Sequence, residues 1–353
     1  MDLTLISNGF SNSSGYGIQR YSYDLYSALS ATFNITKVDL SAIANYLNIP
    51  ILGPPINRRI YFSMHIDKIK NKNVHFLQPL LTTKYLKSSK KKIVTFWDFY
   101  VFDKNYIKMI YPKEASMFKK LIVSNIRRLS LADTLKVSKA VNVYDYIFTV
   151  NEKVASRLTN DFGIEPDKIG VSYPIVNSKF VPIKRYKKEK TKIIGYVNSY
   201  PYNKREKLRV FIETFKKLKN ENLALHLYGN GFPFNELIKD DNRIKYFGFA
   251  REEDIVKIYN SFDVYLSTST TEGFGIPIIQ AKACETPVLC YDGDLPTVIK
   301  RNTIIWNEEN IEQILKDQSW EKLDLKKATL DAEECKSNTV IPKIIEVYKN
   351  VYR

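Results

Sequence analysis

Two successive series of short apolar runs alternating with amphipathic helical patterns predict an α/β protein of two Rossmann-like domains. Three observations carry this. The chain has 353 residues, more than a typical single domain holds. Strands that alternate with helices imply parallel sheets covered on both faces. The alternation also occurs twice, on either side of a stretch rich in Pro and charge.

In the first half, strands are predicted at Leu3–Ser7, Ile60–Ser63, Val74–Leu77, Ile93–Trp97 and Ile147–Val150. In the second they are predicted at Lys192–Val197, Leu223–Tyr228, Lys245–Phe247, Asp263–Ser267 and Pro287–Tyr291. Helices are expected at Lys207–Lys219, Glu252–Asn260, Pro277–Glu285 and Asn338–Tyr352. Pro174, Pro182 and the cluster from Lys184 to Lys190 break the apolar rhythm, as a linker does. The expected division is residues 1–178, residues 179–334, and a C-terminal helix in 335–353 that returns to the first domain.

Composition narrows the class. No run of 18 apolar residues occurs, so no transmembrane helix is expected. Met1–Ile6 reads as a strand and not as a signal peptide, which predicts a cytoplasmic protein. Cys284, Cys290 and Cys335 form no disulfide framework, and with His65, His75 and His226 they show no zinc spacing. The net charge is +16, of which residues 1–180 carry +12 (25 Lys and Arg against 13 Asp and Glu). A basic half can meet a phospholipid surface, a phosphorylated lipid or a nucleic acid, although a Lys-rich solvated face is the better account of the charge taken alone. No nucleic-acid recognition motif is present, and no nucleic-acid partner is expected.

The chemistry concentrates in Ser267–Gln280. A strand ends near Ser267, a loop with Gly273, Phe274 and Gly275 follows, and a helix opens with Pro277 in its first turn. Glycines let a backbone approach a ligand, and a helix N-terminus offers free N–H groups to an anion. Glu272 precedes the helix and Gln280 lies eight residues on, about 12 Å along nearly one face. Glu272 can accept hydrogen bonds from sugar hydroxyls, and Gln280 can bond a ribose.

This segment, Glu272-Gly-Phe-Gly-Ile-Pro-Ile-Ile-Gln-Ala-Lys-Ala-Cys-Glu-Thr-Pro-Val288, resembles glycosyltransferase family 4, whose hallmark is a Glu, seven residues and a second Glu. Only the second acid differs, as Gln280. The flanks are similar too: Asn242–Ala250, with Phe247 and Gly248 beside the nucleotide base, Glu252–Val264, Leu227–Gly231, Phe148–Glu152 and Phe162–Ile169. The likeness is strong after residue 147 and thinner before it. It implies a GT-B fold, two Rossmann-like domains facing across a cleft, and retaining transfer from a nucleotide-diphosphate sugar with no metal and no cofactor. It also implies front-face displacement, in which a donor phosphate oxygen takes the acceptor proton.

Where family members hold the donor diphosphate with an Arg and a Lys, this chain has Ser199 and Lys204. Arg205 is the candidate for the missing charge. Near the N-terminus, Ser14-Gly15-Tyr16-Gly17-Ile18-Gln19-Arg20-Tyr21 resembles the family loop that touches phosphate or acceptor, with Gln19 replacing a glycine. Trp97-Asp98 stands where the family often has His-Asp.

Asp292-Gly293-Asp294 is an Asp-x-Asp, the manganese site of the other glycosyltransferase architecture. It follows a strand that the GT-B resemblance already accounts for, so both acids are expected to be loop acids. Residues 117–129 read as a basic amphipathic helix, packed on a sheet or lying on a membrane surface. The expected partners are a nucleotide-sugar donor and a glycan, lipid-linked or protein acceptor, with peripheral contact to an anionic membrane. The rival readings are an epimerase or phosphorylase on the same scaffold, and a sugar-nucleotide binder that has lost turnover.

Overall fold

The structure, a computed structural model, describes residues 1–11, 17–40, 69–79, 90–98, 141–184, 190–198, 202–229 and 238–353. The expected strand at Ile60–Ser63 and the basic helix of residues 117–129 lie outside them. The chain divides into two compact units, Met1–Tyr173 with Val340–Arg353, and Pro174–Thr339.

In the first unit a six-stranded parallel sheet runs in the order β2-β1-β3-β4-β5-β6. The strands are β1 (Asp2–Ser7), β2 (Asn34–Asp39), β3 (Asn73–Phe76), β4 (Lys91–Phe96), β5 (Tyr146–Thr149) and β6 (Ile169–Val171). Helix α1 (Gly17–Leu29) follows β1, and α2 (Glu152–Phe162) follows β5. Asn151 caps α2 by accepting from the Val154 amide, and Gly163 in the left-handed region ends it. The core joins Ile6, Val74, Phe76, Val94, Phe96, Ile147 and Leu158.

His75 sits fully buried in the middle of β3. Its Nδ1 meets the Tyr348 hydroxyl at 2.5 Å and its Nε2 meets Thr95 Oγ1 at 2.9 Å. Burial pushes its pKa down to about 3. The unfolded chain therefore binds a proton at this residue between about pH 3 and the ordinary histidine range, and the folded chain does not. Stability is fully present above about pH 6.5 and is lost as pH falls below it. From about pH 7.5 to 5.5 this group alone is expected to remove about 1.4 kcal/mol. Urea unfolding of wild type and His75→Asn at both pH values checks this. The variant should lack that part of the slope, and equal slopes would contradict it.

The second unit holds another six-stranded parallel sheet, in the order β12-β11-β10-β7-β8-β9. Its strands are β7 (Lys192–Val197), β8 (Leu223–Tyr228), β9 (Ile244–Tyr246), β10 (Val264–Ser267), β11 (Val288–Tyr291) and β12 (Ile304–Trp306). Its helices are α3 (Tyr202–Leu218), α4 (Ile255–Ser261), α5 (Ile276–Ala283), α6 (Thr297–Lys300), α7 (Ile311–Asp317) and α8 (Leu325–Glu333). Helix α9 (Ser337–Val351) ends the chain, and from Val340 on it belongs to the first unit. There the Tyr352 hydroxyl donates to the Val74 carbonyl at 2.9 Å. Gly195 lies inside β7 because a Cβ there would stand 2.1 Å from the Phe262 ring. Among the described residues, no helix is long and apolar enough to cross a membrane.

Ten strand segments were predicted. The nine within the described residues form as strands, Lys192–Val197 and Leu223–Tyr228 with the predicted bounds and the others within a residue or two at their ends. Strands β2, β6 and β12 were not foreseen. Helix α3 starts at Tyr202, five residues ahead of the expected Lys207, and α4 starts at Ile255, after a turn at 252–254.

Candidate active site

The order of the second sheet places β7 and β10 side by side at its centre, with the chain running outward in both directions from them. That is a topological switch point, and ligands of open parallel sheets bind beyond the carboxyl ends of such strands. The side chains that meet there come from α3 and from the loop after β10.

Each is held by the fold. Trp306 Nε1 donates to the Ser267 carbonyl at 3.0 Å and fixes the end of β10. The Thr268 hydroxyl donates to the Lys204 carbonyl at 3.2 Å, tying the loop to the first turn of α3. Lys204 itself is buried, and its Nζ lies 2.6 Å from Glu272 Oε1. Ser269 Oγ donates to the same oxygen at 2.7 Å. Lys204 therefore sits in a helical first turn, ahead of the helix start expected at Lys207, where a cation opposes the helix dipole.

The loop then turns into α5. Gly275 caps this helix at φ 94°, a left-handed conformation that favours glycine. Phe274 is buried beneath the loop, and Pro277 occupies the first turn. The start of α5 is the positive end of a helix dipole, which favours an anion nearby. Lys282, further along α5, is a brace: its Nζ donates to the carbonyls of Val298 (3.1 Å) and Arg301 (2.6 Å) and to Asp331 Oδ2 (2.8 Å). Burial lowers its pKa, and the adjacent Asp331 opposes that shift.

The Asp-x-Asp segment acts as a second brace. The Asp294 amide donates to the Thr270 carbonyl at 2.8 Å, and Asp292 pairs with Lys300 at 2.9 Å. A Cβ on Gly293 would stand 2.5 Å from the Thr270 oxygen and 2.8 Å from that of Ser269. Glycine is what lets this loop press against the one that carries Glu272.

Gln280 is half-buried, and its Oε1 accepts from the Tyr259 hydroxyl at 3.2 Å. Phe247 stands half-exposed after β9, stacked on Tyr228 with centroids 4.8 Å apart. Gly248, at φ 74°, accepts at its carbonyl from the Gly229 amide at 2.8 Å. Both lie at the carboxyl edge of the sheet. Ser199 falls outside the described residues, and so does the side chain of Arg205.

In the first unit, Gly17 opens α1, and Gly15 and Tyr16 lie outside the described residues. Arg20 Nε pairs with Asp24 Oδ2 at 3.0 Å. Gln19 donates its amide to the Asn8 carbonyl at 3.2 Å. Trp97 is only 8% exposed, packs edge-on against Tyr21, and donates Nε1 to the Leu77 carbonyl at 3.0 Å. Its indole donor is thus spent on the fold. Asp98 follows it, half-buried.

Thr268, Ser269, Tyr259 and Gly293 were not singled out from sequence. The signal available for three of them was a run of small hydroxyl residues, Ser267–Thr271, next to Glu272, and the Gly inside Asp-x-Asp.

The switch point of this parallel sheet thus carries a Lys–Glu pair beside a glycine-opened helix. Residues 191–318 match the family of glycosyl transferases group 1, and this part of the chain is a domain of that family. Among curated relatives, O-antigen chain mannosyltransferase B of Escherichia coli is 28% identical over 114 residues, 30% of each chain. The uncharacterized glycosyltransferase MJ1607 of Methanocaldococcus jannaschii is 25% identical over 252 residues, 60% of this chain and 64% of that one. The matches thus span from under a third to under two thirds of these relatives' length.

Among solved structures, a glycosyltransferase from Rickettsia africae aligns with TM-score 0.69 at 19% identity, covering 100% of this chain and 98% of that one. Anabaena Alr3699/HepE in complex with UDP and glucose aligns with TM-score 0.65 at 12% identity, covering 99% and 100%. The fold is the GT-B fold of these glycosyltransferases.

Proposed function

We propose that this chain transfers a sugar from a nucleotide-diphosphate sugar to an acceptor hydroxyl, with retention of anomeric configuration and without a metal ion. The observation that carries the reading is the Lys204–Glu272 contact at the switch point, beside the start of α5. An ammonium has three donors, so Lys204 can bond Glu272 and a diphosphate oxygen together. Glu272 accepts from sugar hydroxyls and Gln280 from a ribose, and Phe247 and Gly248 border the base. The pair itself nets to zero charge. A departing diphosphate therefore draws its compensation also from Arg205, the Gly273–Gly275 amides and the helix start. The bond from C1 to the phosphate oxygen breaks, the bond from C1 to the acceptor oxygen forms, and a donor phosphate oxygen takes the proton.

Gly15, Tyr16, Gly17, Arg20, Trp97 and Asp98 serve the acceptor or phosphate side in this reading. The work is done in the cytoplasm, where the basic first half can meet an anionic membrane face. The structural neighbour Alr3699/HepE, which is in complex with UDP and glucose, supports a nucleotide-sugar donor. A second reading, a sugar-nucleotide binder without turnover, draws on Gln280, whose carbonyl oxygen is engaged by Tyr259.

A panel of UDP-, GDP- and ADP-sugars, followed by release of nucleoside diphosphate in excess EDTA, separates the two. Release is expected from one donor class, and chelation should leave it intact. The anomeric proton of the product should keep the donor's configuration. Loss of release on chelation, restored by manganese, would point to Asp292 and Asp294 instead.

A further inference from the structure

We propose that Ser269 is a positioning residue, which fixes the oxygen of Glu272 that a ligand meets. This rests on the donor reading above. Two donors, Ser269 Oγ and Lys204 Nζ, converge on Oε1. Among the described residues, Oε2 takes no partner, and the Glu272 side chain is 20% exposed. A carboxylate offers about four lone-pair sites over two oxygens, and the last torsion of a glutamate is broad. Saturating Oε1 stops that rotation and turns Oε2 outward as the acceptor for a sugar hydroxyl.

Ser269 is placed to do this and little else. It is 2% exposed, so its hydroxyl cannot reach a ligand directly. The segment around it is braced: Trp306 holds the Ser267 carbonyl, the Thr268 hydroxyl holds Lys204, and a Cβ on Gly293 would stand 2.8 Å from the Ser269 carbonyl oxygen. Ser269 therefore acts through Glu272. Lys204 alone would hold Oε1 with a flexible four-carbon stem. The serine hydroxyl, on a braced backbone, adds the directional constraint.

The test is a double-mutant cycle in the full chain with Ser269→Ala, Glu272→Gln and the pair. Thermal melts check that each protein folds. Calorimetry measures binding of UDP-, GDP- and ADP-glucose and of the matching nucleoside diphosphates. Ser269→Ala should lower affinity for the sugar-bearing ligand about tenfold, the scale of a hydrogen bond to a charged group. Affinity for the nucleoside diphosphate should be unchanged, and in the Glu272→Gln background the same substitution should add nothing. Equal losses in both backgrounds, or wild-type binding by Ser269→Ala, would overturn the inference and leave the donor reading standing. A wild-type chain that binds none of these ligands would overturn the donor reading, and this inference with it.

Discussion

Glu272→Gln is expected to lower turnover about a hundred- to a thousandfold, the range seen when a group that stabilises a transition state is removed. The amide keeps the shape but removes the charge that Lys204 faces at 2.6 Å. Two consequences separate this from unfolding. Glu272 lies in a half-buried loop whose backbone is held by Gly293 and Asp294, so the protein should still fold cooperatively, with a lower thermal midpoint because the buried Lys204 loses its counter-charge. Lys204 is also no longer neutralised, so UDP should bind no more weakly than to wild type. Steady-state kinetics and a UDP titration on the same preparation check both. Near wild-type turnover would remove Glu272 from the chemistry.

The sequence exposed much of this site because the site is local. The residues from Ser267 to Gln280 are contiguous, and their strand, loop and helix follow from an apolar run, two glycines and a proline. The strands read well where they are apolar throughout. β2 was missed because Asn34–Asp39 is a sheet edge, largely exposed along its length. β6 and β12 were missed because three residues give no period to read, whereas the equally short β9 lies in Asn242–Ala250, a segment similar to the family.

The partners were the part that stayed hidden. Nothing in the neighbourhood of Lys204 announces that its ammonium meets a carboxylate 68 positions on. That contact depends on Thr268 clamping α3 to the loop. The same holds for His75, whose ring nitrogens meet side chains from β4 and from α9, far apart in the chain. Asp-x-Asp was read from sequence as a pair of loop acids, and what stayed hidden there was the glycine between them, which lets one loop press on the other.

Lys204→Ala carries the second large effect. Removing it takes away a buried cation and leaves Glu272 facing the incoming diphosphate uncompensated. A charge-assisted contact of this kind contributes about 1.5–3 kcal/mol, so diphosphate affinity should fall about ten- to a hundredfold. The repulsion from Glu272 acts in the same direction. Arg205 and the α5 amides would remain, which keeps the loss finite.

Calorimetric titration of a nucleoside diphosphate and of its parent nucleoside into wild type and Lys204→Ala tests the central claim most directly, namely that the switch point of the second unit holds the diphosphate of a nucleotide sugar. UDP and uridine, GDP and guanosine, and ADP and adenosine are the pairs to titrate. The account predicts that one diphosphate binds wild type more tightly than its nucleoside, and that Lys204→Ala loses most of that difference while nucleoside binding stays as it was. A diphosphate that binds both proteins equally would contradict it.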